Sequence, residues 1–139
     1  MRLNNQIEWV SWSFISQTIK QRELSLVVWG KSEDWLPKVL RKHIPELIID
    51  SNKSLDGDEY EGIPIVSPGK LKRSDWDGYY VVICTSAFQT IREELENYGL
   101  IENKNFSVLP DLKDIQLVED VASFSCEFLV TSSDHDNSL

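Results

Sequence analysis

Three polar stretches, each following an apolar run, hold the residues best placed to meet a ligand: Gly30-Lys31-Ser32-Glu33-Asp34, Asp50-Ser51-Asn52-Lys53 and Thr85-Ser86. A glycine after an apolar run lets backbone amides approach a phosphate, and the dinucleotide fingerprint G-x-G-x-x-G uses three of them. The matching positions here are Gly30, Ser32 and Trp35, so only the first glycine is present. Ser32 is small enough for fairly close backbone approach. Trp35 excludes the tight helix–strand contact that the third glycine permits. Glu33 and Asp34 place two carboxylates where the positive end of a helix dipole would hold a pyrophosphate, and Lys31 offsets one of them. NAD and FAD are therefore disfavoured at this loop. Asp50 stands twenty residues after Gly30, where the fingerprint places its ribose-binding acid. A strand-end aspartate that caps the next turn gives the same pattern, and both readings stay open. Thr85-Ser86 opens a helix with no acid in its first turn, which makes it either the better anion site or a plain N-cap.

No other constellation amounts to chemistry. His43 and His135 have no serine, cysteine or carboxylate at the spacing of a triad; His43, after Arg41-Lys42, reads as a helix C-terminal residue. Cys84 and Cys126 lack a C-x-x-C partner and a nearby histidine, so no zinc site is named, and Cys84 reads as core. Asp56, Asp58, Glu59 and Glu61 lack the glycine and ligand order of a calcium loop and read as solvated surface. Asp75-Trp76-Asp77-Gly78 reads as a turn. No catalytic residue and no metal ligand is assigned.

The elements that must position these loops follow from periodicity. Ile7, Val10, Phe14, Ile15 and Ile19 predict an amphipathic helix over 6–22. Unbroken apolar runs at 25–29, 47–50 and 79–84 predict strands buried on both faces, as in a parallel sheet. Leu36, Val39 and Leu40 predict a short helix that Pro37 keeps from starting before about Asp34. Residues 51–62 read as a polar loop. Ile63-Pro64-Ile65-Val66 reads as an edge strand or an unpaired piece, because proline removes a ladder donor, and Ser67-Pro68 begins a helical turn to Leu71. Phe88, Ile91, Leu95 and Tyr98 predict a helix that opens with a capping box, Ser86 to Gln89, and stops at Gly99. A last strand covers 106–109. Residues 124–130 alternate and predict one more strand. Alternating strands and helices imply an α/β fold: a Rossmann-like three-layer parallel sheet with an N-terminal helix and a C-terminal extra strand.

Length and charge bound the function. The chain has 139 residues, about one domain. Residues 1–110 carry 16 acidic and 13 basic side chains; residues 111–139 carry seven and one. A net charge of −9 argues against nucleic acid and anionic membrane, and Lys70, Lys72 and Arg73 are too few to reverse that. No apolar run approaches a membrane span and no signal segment is recognisable, so a cytoplasmic location is expected.

The strings Val27-Val28-Trp29-Gly30, Ile48-Ile49-Asp50-Ser51-Asn52-Lys53, Glu61-Gly62-Ile63-Pro64-Ile65-Val66-Ser67-Pro68 and Val81-Val82-Ile83-Cys84-Thr85-Ser86 together resemble a known pattern. It is that of the small Rossmann-like domains of bacterial sugar-nucleotide and polysaccharide biosynthesis proteins, which occur beside acetyltransferases, dehydratases and methyltransferases. The resemblance covers residues 25–109 and departs at the glycine loop. It implies an accessory domain that binds a nucleotide, sugar or nucleotide sugar, or one that has lost the ligand and acts as a scaffold. It implies Gly30, Ser32, Asp50, Asn52, Thr85 and Ser86 as the cofactor-binding positions, the cofactor itself being unknown. The division expected is an N-terminal helix over 1–23, a Rossmann-like domain over 24–110 and an acidic extension, or the start of a further domain of a larger parent protein, over 111–139. The alternatives are a fragment of an NAD- or S-adenosylmethionine-dependent reductase, dehydratase or methyltransferase, and a pure interaction module. In the last, helix 6–22 and strand 124–130 are the contact surfaces and the helix helps form a homodimer.

Overall fold

Residues 6–114 are described by a computed structural model of the chain. The order is α1 (Trp12–Arg22), β1 (Ser25–Trp29), α2 (Leu36–Leu40), β2 (Leu47–Ile49), β3 (Glu59–Tyr60), β4 (Ile63–Val66), α3 (Arg73–Asp77), β5 (Tyr79–Ile83), α4 (Phe88–Asn97) and β6 (Phe106–Val108), with 3₁₀ turns at Lys53–Leu55 and Pro68–Lys70. The strands form one six-stranded sheet in the order β3-β4-β2-β1-β5-β6. Val27 of β1 pairs with Leu47 of β2 and Val81 of β5, both in parallel, and β4 and β6 extend the parallel ladder on either side. Leu26–Trp29, Leu47–Ile49 and Tyr80–Ile83 are buried without interruption. Successive side chains point to opposite faces, so continuous burial means that both faces of the central strands are covered. The α/β class is as expected; the sheet, however, is mixed rather than wholly parallel.

The antiparallel exception is β3, which the sequence reading placed within a polar loop. It pairs with β4 through Glu59–Pro64 and Tyr60–Ile63. The two residues between them, Glu61 (φ 49°) and Gly62 (φ 86°), both have positive φ, as the tight hairpin turn that matches strand twist requires. Strand β4 is therefore neither an edge nor unpaired. Its ladder with β2 begins only at Ile65, so the donor missing at Pro64 falls before it.

Helix α1 starts six residues later than the apolar spacing predicts. Ser11 caps it, its hydroxyl accepting the Phe14 N–H at 3.1 Å. Upstream, carbonyls that a helix would use internally accept side-chain donors instead: Gln6 O from Arg92 and Glu8 O from Asn103, both at 2.8 Å. Ile7, Trp9 and Val10 still pack against the core, as an irregular strap and not as a helix face. At the other end Glu23 turns left-handed at φ 54°, and the Leu24 N–H returns to Ile19 O at 3.0 Å.

Residues 73–77 are helical where a turn was expected. The Asp75 carboxylate accepts the Lys72 N–H at 2.7 Å, and the short helix seats Trp76 on Trp29, ring centroids 6.1 Å apart and nearly parallel. Helix α4 keeps Phe88, Ile91 and Leu95 of its predicted stripe buried, while Tyr98, the fourth, is the C-cap and only partly buried. Its predicted cap is not formed: the N-cap is Ala87, whose N–H is accepted by Thr85 Oγ1 at 3.3 Å, and the Gln89 side chain accepts from Arg92 at 2.7 Å. The end is as expected. Gly99 is left-handed, and the N–H groups of Gly99 and Leu100 return to Glu96 O and Leu95 O. Strands β2, β5 and β6 stop one residue short of their expected ends.

His43 does not cap α2 with its side chain. Its Nε2 shares a 2.5 Å hydrogen bond with Ser16 Oγ and its ring lies 6.0 Å from that of Trp12, joining α1 to the segment after α2. Trp12 Nε1 in turn donates to Asp111 at 3.0 Å. Helix α1 thus shares one core with the sheet, Ile15 being fully buried. Among the described residues no helix is long and apolar enough to cross a membrane. The predicted strand over 124–130 lies outside the described residues.

Candidate functional site

The parallel strands bring their carboxyl ends to one edge of the sheet. From β1 the chain moves outward through β2 to β4, then returns to the other side of β1 with β5 and β6. In an open α/β sheet the loops diverge at that reversal and leave a crevice. A cleft of about 310 Å³ lies there, with Gly30, Asp50, Ser51, Thr85 and Thr90 as its polar or small lining and Trp29, Ala87 and Ile91 as apolar wall. It joins Gly30, Asp50 and Thr85 of the six predicted positions. Ser32, Asn52 and Ser86 are not on its wall.

Five of the six predicted residues have a local task. Gly30 (φ 119°) lies against the end of β5: a Cβ placed on it would stand 2.9 Å from Cys84 O and 3.2 Å from Thr85 Cβ. Its small size therefore serves contact between two strand ends. Ser32 closes the turn before α2, its hydroxyl accepting the Trp35 N–H at 3.2 Å and its carbonyl the Leu36 N–H at 2.9 Å. Asn52 caps the following 3₁₀ turn by accepting from Ser54 N–H and Oγ. Thr85 closes the turn into α4, and Ser86 is exposed.

Asp50 joins the first two loops. One carboxylate oxygen accepts the Lys31 N–H at 2.8 Å and the other the Asn52 N–H at 2.9 Å. The second contact is the turn cap that the sequence allowed; the first, across 19 positions, had no local signal. Each oxygen has a further lone pair for a hydroxyl donor.

These residues do not fit a dinucleotide pyrophosphate. Such a site presents free amides. Here Gly30 N–H is donated to Ile49 O, Lys31 N–H to Asp50, Ser32 N–H to Gly30 O, and Trp35 and Leu36 N–H to Ser32. The Lys31 ammonium is engaged too, 2.5 Å from Glu33 and 5.8 Å from the Tyr60 ring centroid. The hydrogen bond to Glu33 holds its pKa above the ordinary lysine value against partial desolvation.

What remains in the cleft is one carboxylate, three hydroxyls and an apolar wall, donors and acceptors suited to a ligand rich in hydroxyls. Ser51 and Thr90 were not singled out by sequence reasoning. Thr90 was within reach of it, as a polar position off the buried stripe in the first turn of a helix that begins at a strand's carboxyl end. Cys84, behind the cleft, is fully buried, and burial pushes its thiol up to about 12. Among the described residues no group of three or more histidine, cysteine or acidic side chains is placed to hold a metal. No family model, no curated protein and no solved structure matches this chain.

Proposed function

We propose that this chain is an accessory domain that binds a sugar or the sugar-bearing part of a nucleotide or nucleotide sugar, within a Rossmann-like fold. The observation that carries the reading is the cleft at the strand reversal, where Asp50, Ser51, Thr85 and Thr90 line one cavity. Its volume is at the lower end of small-molecule sites, roughly 300–1,000 Å³, which suits one sugar or nucleoside better than a dinucleotide. Strand order supports it in part: with the short β3 set aside, the parallel strands run 3-2-1-4-5 in chain order, the classic doubly wound order 3-2-1-4-5-6 without its sixth strand. Hairpin β3–β4 sets this chain apart from the all-parallel form. A role in bacterial carbohydrate assembly rests on the resemblance of Glu61–Pro68 and its neighbours to domains of those proteins. The test is calorimetric titration with uridine, UDP-glucose and NAD. Saturable binding of uridine or UDP-glucose, with a dissociation constant between about 10 μM and 1 mM, and weaker binding of NAD, is the expected result. Binding of NAD in preference to both would refute the reading, as would no binding of either sugar-bearing ligand.

A further inference from the structure

A second cavity, also about 310 Å³, opens at the carboxyl end of β4 and shares Ser51 with the cleft. Its chemistry differs. Lys53 and Lys70 both line it, with Asp56 and the Ser67-Pro68-Gly69 backbone between them. Asp56 is committed: it accepts the Ser67 N–H at 2.8 Å and lies 2.6 Å from the Lys70 ammonium. Lys53, among the described residues, has no carboxylate within ion-pair distance. With Asp56 balanced by Lys70, the cavity carries one uncompensated positive charge in a chain of net −9. Gly69 adds no side chain, and nothing lies within 4 Å of where its Cβ would be. The first loop is the opposite: the amides of Gly30, Lys31 and Ser32 and the lysine are engaged, and Glu33 and Asp34 place two carboxylates in it.

We propose that this second cavity holds the phosphate of a ligand whose sugar lies in the cleft, with Lys53 and Lys70 as the cations and Asp56 as the group that keeps Lys70 at the wall. This rests on the sugar-binding reading above and adds where the anion goes: beside β4, not at the glycine loop. The ligand class is then a sugar phosphate or a nucleotide with its phosphate directed past Ser51.

The experiment follows backbone amides of the isotope-labelled full chain by NMR, at constant ionic strength held with sodium chloride. Inorganic phosphate is one probe, uridine a second and UMP a third. Phosphate is expected to move the amides of Lys53, Gly69 and Lys70 saturably. Uridine is expected to move those of Gly30, Thr85 and Thr90, and UMP both sets. Lys53→Met should weaken phosphate and UMP by about threefold or more, the scale of one exposed charge pair, and leave uridine unchanged. Lys70→Met should weaken phosphate further, since Asp56 is then unbalanced. Phosphate shifts centred on residues 31–35, or no shifts over 53–70, would overturn the proposal, as would a Lys53→Met affinity equal to wild type. Phosphate binding as described with no response to uridine would leave this anion site standing and remove the sugar cleft, so the two readings fail separately.

Discussion

Gly30→Ala tests whether the cleft owes its shape to contact between two strand ends. The backbone at φ 119° is a region that L side chains rarely adopt, and the new Cβ would stand 2.9 Å from Cys84 O and 3.2 Å from Cys84 C. Both are backbone atoms of the segment that leaves β5, held by the Cys84 N–H bond to Trp29 O at 2.8 Å, so no side chain can swing aside. Backbone strain of this kind costs about 1–3 kcal/mol and overpacking about 1–3 kcal/mol more, for a loss of roughly 2–6 kcal/mol. Gly62→Ala is the matched control. Its φ of 86° is also unfavourable, but nothing lies within 4 Å of its Cβ, so it bears the strain alone. Urea unfolding of wild type and both variants gives the comparison, with an unchanged m-value showing that the unfolded state is common. Gly30→Ala should lose at least about 1 kcal/mol more than Gly62→Ala, the lower end of the overpacking cost. Equal losses would refute the argument that Gly30 is a packing glycine.

Glu23→Gly should stabilise the protein by about 0.5–1 kcal/mol, read as a rise in Tm, because Glu23 is left-handed at φ 54° and also places an acid at the negative end of α1. Asp56 is held below its ordinary 3.8 by Lys70 and then by the Ser67 N–H. A depressed folded value means that its contribution is complete above the unfolded value and lost as pH falls through the folded one; Asp56→Asn should therefore flatten the acid limb of stability below about pH 4. In a Cys126→Ser background the one remaining thiol, Cys84, should react with a thiol reagent at pH 8 only at the rate of unfolding, being buried with its pKa pushed up to about 12.

The central strands were legible because Leu26–Trp29 and Tyr80–Ile83 are apolar without interruption, a pattern that burial on both faces demands. Helix α4 was legible in its stripe and its stop. Its start was not, because the Thr85 and Ser86 hydroxyls can each close the turn and only tertiary geometry selects between them. Hairpin β3–β4 was hidden because its turn is Glu61-Gly62, without the asparagine or aspartate that usually announces such a turn. The early overreach of α1 has a related cause: Ile7, Trp9 and Val10 do meet the core, but from a strap whose carbonyls are taken by Arg92 and Asn103, both more than 80 positions away. At the site, strand ends placed Gly30, Asp50 and Thr85 correctly. The remaining three predicted positions are engaged in or beside local turns, and the Lys31–Asp50 bond that ties up the first loop is a long-range contact that no motif encodes.

The most direct measurement of the central claim fills the cleft. Thr90 is exposed, lines the cavity and lies off the buried stripe of α4, so Thr90→Trp adds bulk there without touching the core. Uridine and UDP-glucose affinities of wild type and Thr90→Trp, by calorimetry, should differ by at least tenfold, about 1.4 kcal/mol, at matched Tm. Wild-type affinity in Thr90→Trp would contradict the assignment of the sugar to the cleft between β1 and β5.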